Sequence, residues 1–529
     1  MDAPHETDWG NSPLVNSTFA NVKSKGFRGI RLPVSWSYHM SDTAPYTIDA
    51  AWLQRVEDVV DMILSNDMYV ILNVHHDSWM SFDMSGTINS NLMSHYNDKF
   101  YALWYQIGQR FACKSEMVGF EPLNEPNGNG EEWAIQLNNM QALMLQAINN
   151  AGGHNFKRVV VLGGLGDSWT SMVQYTKLPG ANVTNPIALT FHYYGPWDLT
   201  ANAWGRTIWG SDSDKAAIEA DFAQVRGNYT KYPLICGEYG IDSRGIEPGA
   251  VWKNLDWLIH TAYKYNVSMM LWDTSASFVV DGPTQYGDPT ALNIILSAAK
   301  GISNALADST TDNQAPTQFT SAYLFQRRGE SIKDTGLPFI WNGNKLLSIE
   351  ENLASTEAKT KLQANTDYNV DGNNLTFKAS YMARLFPENA SPKFKANLTL
   401  HFDQGADLVL RAVLWDTPSI SHTSIKATTE LTQSDLNIPL QANGLTGKAA
   451  TMKAQLANDE CLSDTWTKWM GPLQKCRTVW GTSWAVDVSN FIVKAQTFKD
   501  ILANNQTTTL TFEFFPRVPG NAVNFTVTV

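Results

Sequence analysis

The amino-acid sequence predicts a multidomain chain: a (β/α)8 TIM-type barrel whose first strand is absent, followed by two β-sandwich modules. Three observations predict it. From Phe27 to about Gly301 strand-like and helix-like runs alternate, which means parallel strands joined by crossover helices. Two apolar runs, Val118-Gly119-Phe120-Glu121-Pro122-Leu123-Asn124-Glu125-Pro126 and Pro233-Leu234-Ile235-Cys236-Gly237-Glu238-Tyr239-Gly240, each end by presenting a carboxylate. In a parallel barrel the carboxyl ends of the strands are where chemistry is built. After Gly301 the texture changes to short alternating runs between Asn-Gly, Asp-Gly and Gln-Gly turns, the pattern of antiparallel sandwiches.

The strand candidates, in order, are Phe27 to Val34, Tyr69 to His75, Met117 to Leu123, Arg158 to Gly163, Ile187 to Tyr193, Pro233 to Glu238 and Ser268 to Asp273. Between them run helical patterns. Ala50 to Ser65 places Leu53, Val56, Val59, Val60, Ile63 and Leu64 on one face, and others cover Tyr96 to Phe111, Trp133 to Asn150, Asp214 to Tyr229 and Val251 to Tyr265. The chain opens on loop-like residues before its first helix, so the first barrel strand is expected either upstream of Met1 or as a gap. Residues 1–305 form the expected barrel domain and 306–317 a polar linker. Two β-sandwiches follow, one over 318–417 and one over 418–529.

Composition narrows the partners. A net charge of −12 with no basic run argues against nucleic acid and anionic membranes. No apolar run reaches the ~20 residues that span a bilayer. The acidic surface suits a neutral partner better; the 19 Trp, 18 Tyr and 23 Phe are many for a soluble chain, and while core packing accounts for most of them, aromatic faces are also what the C–H faces of sugar rings stack on. Asn-X-Ser/Thr sequons at Asn16, Asn182, Asn228, Asn266, Asn374, Asn389, Asn397, Asn505 and Asn524 point to a secreted, extracellular glycoprotein of eukaryotic type. Cys461 and Cys476 enclose a short loop and are expected to be bridged, whereas Cys113 and Cys236 lie in core-like sequence and are expected to be free and buried. A monomer is expected.

Glycoside hydrolysis needs one carboxyl group to protonate the leaving oxygen and a second to attack the anomeric carbon or activate water. Glu125 and Glu238, on different strand ends, can do this. Two carboxylates so close predict a raised pKa for the acid, with a cation keeping the nucleophile charged. Arg31, His75-His76, Asn124, His192, Tyr194 and Trp272 stand at the other strand ends. Adjacent His75 and His76 point to opposite sides of an extended strand and no His-X-His pair opens the barrel, so neither a metal nor a cofactor is expected.

Arg31-Leu32-Pro33-Val34-Ser35-Trp36, Asn73-Val74-His75-His76-Asp77, Leu123-Asn124-Glu125-Pro126, Phe191-His192-Tyr193-Tyr194, Gly237-Glu238-Tyr239-Gly240 and Leu271-Trp272-Asp273 resemble the successive motifs of glycoside hydrolase family 5, nearest to its subfamily four of endoglucanases and xyloglucanases. The resemblance implies a retaining mechanism with Glu125 as acid/base and Glu238 as nucleophile. It further implies that Asn124 holds the sugar 2-hydroxyl, that Tyr194 and Arg31 position Glu238, and that Trp272 stacks on the sugar. Trp341-Asn342-Gly343-Asn344-Lys345-Leu346, Leu375-Thr376-Phe377-Lys378-Ala379-Ser380-Tyr381 and Gly405-Ala406-Asp407-Leu408, within 318–417, resemble the immunoglobulin-like module found next to bacterial enzymes of this subfamily, and residues 418–529 resemble carbohydrate-binding module family 46. The expected activity is that of a secreted endo-β-1,4-glucanase acting on cellulose or a related β-glucan. Xyloglucan, mixed-linkage glucan or mannan are alternative substrates, and a non-catalytic glycan-binding protein is the alternative class.

At the far end, Trp466, Trp469, Trp480 and Trp484 surround the expected bridge. Two of the four are expected in the core and two on a glycan-facing surface.

Overall fold

The computed structural model describes residues 1–77, 90–180, 182–272, 287–356 and 359–529. They divide into two compact units, one of 1–193, 219–240 and 261–287, the other of 194–218, 241–260 and 288–529.

The first unit holds a seven-stranded parallel sheet in sequential order: β1 (Gly29–Leu32), β2 (Tyr69–Asn73), β3 (Val118–Glu121), β4 (Val159–Leu162), β5 (Ile187–Tyr193), β6 (Leu234–Tyr239) and β7 (Val267–Leu271). Helices such as Ala50–Ser65, Ser90–Phe111 and Glu131–Asn150 cross over between strands. This is a barrel-type α/β sheet with seven of the eight strands, and among the described residues β1 and β7 are not paired with each other. Near the end of β1, Met1 and Asp2 offer their carbonyls to the Ser35 N–H (3.1 Å) and hydroxyl (2.9 Å).

Local sequence explains the elements. Asp49 caps the 50–65 helix by accepting the Trp52 N–H at 2.9 Å, and Trp52, Val56, Val59, Val60 and Ile63 form its buried stripe. Strand β3 is buried along its whole length, as a strand covered on both faces must be. Between β5 and β6 the register slips: Phe191 pairs with Cys236 but His192 pairs with Glu238, so Gly237 is an extra residue. A Cβ there would stand 2.7 Å from Thr190 Oγ1 and 3.1 Å from His192 Nε2, so only glycine fits the bulge that turns Glu238.

In the second unit, one pair of sheets is built from 306–415. One sheet has the order 368–371, 374–377, 335–340, 306–307, and the other 359–361, 346–353, 393–402, 408–415, 323–327. A second pair covers 419–528, with Trp484, Phe491, Val493, Met452, Leu510, Phe512 and Phe525 from both sheets in one core. Two expectations are corrected. The sandwiches are not purely antiparallel, since 408–415 runs parallel to 323–327 and 424–426 parallel to 522–528. The stretch 306–317 is not a free linker: Ala307 pairs with Phe339, the Thr310 N–H bonds the Phe319 carbonyl, and Ser309 and Thr310 are buried. Small hydroxyl side chains fit that interior because pairing with 318–321 satisfies their backbone.

The terminal sandwich rests on segments of 194–218 and 241–260. Arg517 Nη1 donates to Thr207 Oγ1 at 2.8 Å, Lys448 Nζ to the Ser243 carbonyl at 3.1 Å, and the Trp204 and Trp466 rings meet edge to face at 4.6 Å. Cys461 and Cys476 are bonded. Trp484 is buried, Trp480 is half-buried, and Trp466 and Trp469 are exposed. Cys236 is buried, but Cys113, expected to be buried, is exposed, because it lies in the turn after Phe111 and not on the helix's inner face.

Candidate active site

Six strand ends of the first unit converge on one polar cluster. Arg31 on β1 is its centre: Nε and Nη2 donate to Glu121 at 2.7 and 3.1 Å, Nη1 donates to Glu238 Oε1 at 2.7 Å, and Nη2 also donates to Asn124 Oδ1 at 2.8 Å. Burial alone would lower the guanidinium pKa, but Glu121, Glu238 and Asp167 outweigh it and raise it, so Arg31 is a fixed cation.

Glu125 follows β3 in the left-handed region, with φ 41°. Its side chain is 46 % exposed, whereas that of Glu238 is 7 % exposed. His192 stands between them, with Nδ1 2.8 Å from Glu125 Oε1 and 3.6 Å from Glu238 Oε2. One oxygen of each glutamate and a ring nitrogen of His192 lie within 4.8 Å of one another. Burial pulls the His192 pKa down, but Asp167, Glu125 and Glu238 together raise it above the ordinary imidazole value. The hydrogen bond from His192 holds Glu125 below the usual carboxyl range against partial burial. This reverses the raised acid expected from two neighbouring carboxylates, because the His192 ring stands between them and hydrogen-bonds Glu125.

His75 closes the β2 side. Its ring lies 3.2 Å from the Asn73 amide nitrogen and stacks on Trp272 at 5.6 Å, and burial, with the charge of Arg31, keeps it neutral well below pH 6.5. His76 is exposed, with Nδ1 3.0 Å from the Asp2 carbonyl. Trp272, half-buried, is tied to β6 through its N–H to the Tyr239 carbonyl at 2.8 Å. Tyr194 directly follows β5 and begins the second unit, where its carbonyl accepts the Thr200 hydroxyl at 2.6 Å. Asp273 lies outside the described residues.

Two further residues belong to this cluster and were not singled out in the sequence. Glu121 is the fully buried partner of Arg31, and its signal was a charge inside the apolar run of β3. Asp167 follows β4, the one strand whose end carried no assigned function. Its Oδ2 accepts the Glu125 N–H at 2.7 Å and lies 3.6 Å from His192 Nε2. By spacing, Asp2, His75 and His76, or Glu121, Asp167 and His192, or Glu125, His192 and Glu238, could ligate a cation. The His75 and His76 rings, expected to point to opposite sides, lie 4.4 Å apart because the chain has left the extended strand at Asn73. Arg31 already supplies a positive charge to the last two sets, and a second cation would be repelled by it.

The cluster pairs a buried carboxylate held against a guanidinium with an exposed carboxylate held against an imidazole, an arrangement able to attack one face of an acetal carbon and to move a proton on the other.

Comparison with known proteins agrees in kind. The family described as Cellulase (glycosyl hydrolase family 5) matches residues 3–277, and Carbohydrate binding domain X2 matches residues 318–412, the module expected to be immunoglobulin-like. The Endoglucanase B of Paenibacillus lautus is 29 % identical over 98 % of this chain and 86 % of its own. A crystal structure of a tri-modular GH5 (subfamily 4) endo-beta-1,4-glucanase from Bacillus licheniformis complexed with cellotetraose is 31 % identical. It covers 100 % of this chain and 96 % of its own at a TM-score of 0.86. A xyloglucan-specific endo-beta-1,4-glucanase of Bacteroides ovatus is 27 % identical, over 51 % of this chain and 58 % of its own. The chain belongs to glycosyl hydrolase family 5 and is a glycoside hydrolase of the cellulase type.

Proposed function

We propose that the protein is a secreted, retaining endo-β-1,4-glucanase that cleaves internal bonds of cellulose or a related β-glucan by double displacement. The observation that carries this reading is the approach of Glu125 and Glu238, whose oxygens come within 4.8 Å. Retaining pairs lie ~5 to 5.5 Å apart, because an inverting pair must leave room for water.

Glu238 is the nucleophile. Arg31, 2.7 Å away and unable to deprotonate, keeps Glu238 charged for attack and stabilises the carboxylate charge that returns when the glycosyl-enzyme bond breaks. Glu125 is the acid/base. A proton shared with His192 across 2.8 Å moves to the glycosidic oxygen as that bond breaks, and Glu125 later takes a proton from the water that releases the glycosyl-enzyme. Asn124 is directed by its bond to Arg31 toward a sugar hydroxyl, and Trp272, supported by the His75 ring, offers a stacking face.

The barrel over 1–305 is the catalytic domain, and the modules over 318–417 and 418–529 bind glycan. Secretion is supported by the Cys461–Cys476 bridge, which persists in oxidising compartments. The substrate is soluble or insoluble β-glucan. The Bacteroides ovatus relative favours xyloglucan as a second reading.

Glu238→Gln should abolish turnover. Glu125→Gln should still release an activated aryl group from an aryl cellobioside and be rescued by azide, while losing action on polymer. Proton NMR of the first product should show the β-anomer, and an α-anomer would overturn the retaining assignment. Rates on carboxymethyl-cellulose, xyloglucan, lichenan and mannan decide the substrate.

A further inference from the structure

The turn after β4 grips two parts of the site at once. The Gly166 N–H donates to the Pro126 carbonyl at 2.8 Å and the Glu125 N–H donates to Asp167 Oδ2 at 2.7 Å, so this turn holds both residues of the Glu125-Pro126 corner. One residue on, Ser168 forms a parallel bridge with His192. The helix 131–150 anchors the start of the turn, Gln141 Nε2 donating to the Gly163 carbonyl at 2.7 Å. A Cβ at Gly163 would collide with Asp167 Oδ1, so the glycine makes room for this carboxylate.

Both Glu125 and Asp167 adopt left-handed φ, 41° and 44°, which side chains other than glycine rarely do. Such conformations persist where surrounding bonds over-determine them, and they cluster at functional sites. Asp167 is fully buried, and among the described residues its Oδ1, like His192 Nε2, has no hydrogen-bond partner. A loop-capping carboxylate would ordinarily face solvent.

We propose that Asp167 is a positioning residue for the acid/base, its carboxylate fixing the Glu125 backbone through Oδ2 and, across 3.6 Å, the charge of His192. This rests on Glu125 being the acid/base. The groups facing His192 are Asp167 from the turn after β4, Glu125 after β3, Glu238 on β6, Arg31 on β1 and His75 after β2. Those facing Asp167 are His192, Glu121 and Arg31. At His192 the negative charges of Asp167, Glu125 and Glu238 outweigh burial and the repulsion of Arg31, and so favour its protonated form. Burial raises the Asp167 pKa while the neighbouring His192 and Arg31 lower it, so Asp167 and His192 titrate as a pair. Asp167 touches neither the leaving group nor the attacked carbon and acts only through Glu125 and His192.

The test is Asp167→Asn, which keeps an oxygen for the Glu125 N–H and removes the charge, set beside Asp167→Ala, which removes both. With Asn, the high-pH limb of kcat/KM should move to lower pH by about one unit, since an opposite charge at this range shifts a pKa by one or more. The loss of kcat should be largest on aryl cellobiosides with poor leaving groups, with KM within about twofold. Ala should lower kcat further on every substrate, because the corner at Glu125 is released. A merely structural role would lower all substrates alike and leave the limb in place, and that result overturns the proposal.

Two measurements keep it decidable. Imidazole 15N NMR of the wild-type enzyme should show His192 protonated above the pH at which free histidine titrates. Titration at or below that pH overturns the proposal even if the Asn variant does not fold. Glu125→Gln run in parallel separates the two ideas. If it loses cleavage of good leaving groups, the acid/base assignment fails, whereas an unshifted Asp167→Asn profile beside a well-behaved Glu125→Gln sinks only the role of Asp167.

Discussion

Arg31 Nη1 stands 2.7 Å from Glu238 Oε1, and the other arms of the same guanidinium hold Glu121 and Asn124. One residue on β1 therefore carries both a structural ion pair and the charge of the proposed nucleophile. Arg31→Met leaves two buried carboxylates uncompensated and should cost ~3–5 kcal/mol of stability. Activity should fall ~10²-fold or more. Arg31→Lys should recover part of the stability but little of the activity, since an ammonium cannot fork among three partners. Thermal unfolding and steady-state rates check this, and wild-type stability in Arg31→Met would show that Glu121 finds another partner.

Gly237→Ala tests the bulge. Its new methyl would stand 2.7 Å from Thr190 Oγ1 and 3.1 Å from His192 Nε2, so one of them or β6 must move. Overpacking of this kind costs ~1–3 kcal/mol. We expect kcat to fall more than KM rises, because the displaced groups are His192 and Glu238. Among the described residues Thr190 Oγ1 has no hydrogen-bond partner, so adding Thr190→Ala should restore part of both losses. A double variant no better than the single one would place the clash elsewhere.

His75 gives the protein a pH-dependent stability. Burial first, and then the charge of Arg31, depress its folded pKa well below 6.5. The unfolded chain therefore takes up a proton below about pH 6.5 that the folded chain refuses, and this contribution to stability is lost as pH falls. In His75→Gln the drop in Tm between pH 8 and pH 5 should be smaller than in the wild type. Equal drops would mean that other groups set the acid limit.

The tryptophans of the terminal sandwich should separate by burial. Trp484, 1 % exposed, packs against Phe491 with ring centroids 5.4 Å apart, and Trp484→Ala should cost ~3–5 kcal/mol. Trp469 is 83 % exposed, so Trp469→Ala should leave unfolding unchanged and lower activity on polymer more than on an aryl cellobioside. Equal loss on both substrates would remove Trp469 from glycan binding.

Much of this architecture was legible in the order of residues because parallel strands buried on both faces write continuous apolar runs, and their ends must break. Val118 to Pro126 and Pro233 to Gly240 are such runs, and each delivered its glutamate to the site. The helix over 50–65 was legible from its stripe, while that over 169–175 is too short to show a period. The ordered stretch 306–317 was not legible, because its burial depends on pairing with residues brought in from elsewhere. Nor was the exposure of Cys113, since an apolar neighbourhood in sequence does not say which way a turn faces.

The amino-acid sequence by itself determined the barrel strands, the two sandwiches after them and the residues gathered at the strand ends, because periodicity and chain breaks are local. Only the tertiary structure decided the electrostatics. Glu121 became the counter-charge of Arg31 across 90 residues, and Asp167 reached the Glu125 backbone across 42. His192, placed between two glutamates, turned an acid expected to be raised into one that is lowered. Charge acts through distance and burial, and neither is encoded at any single position of the chain.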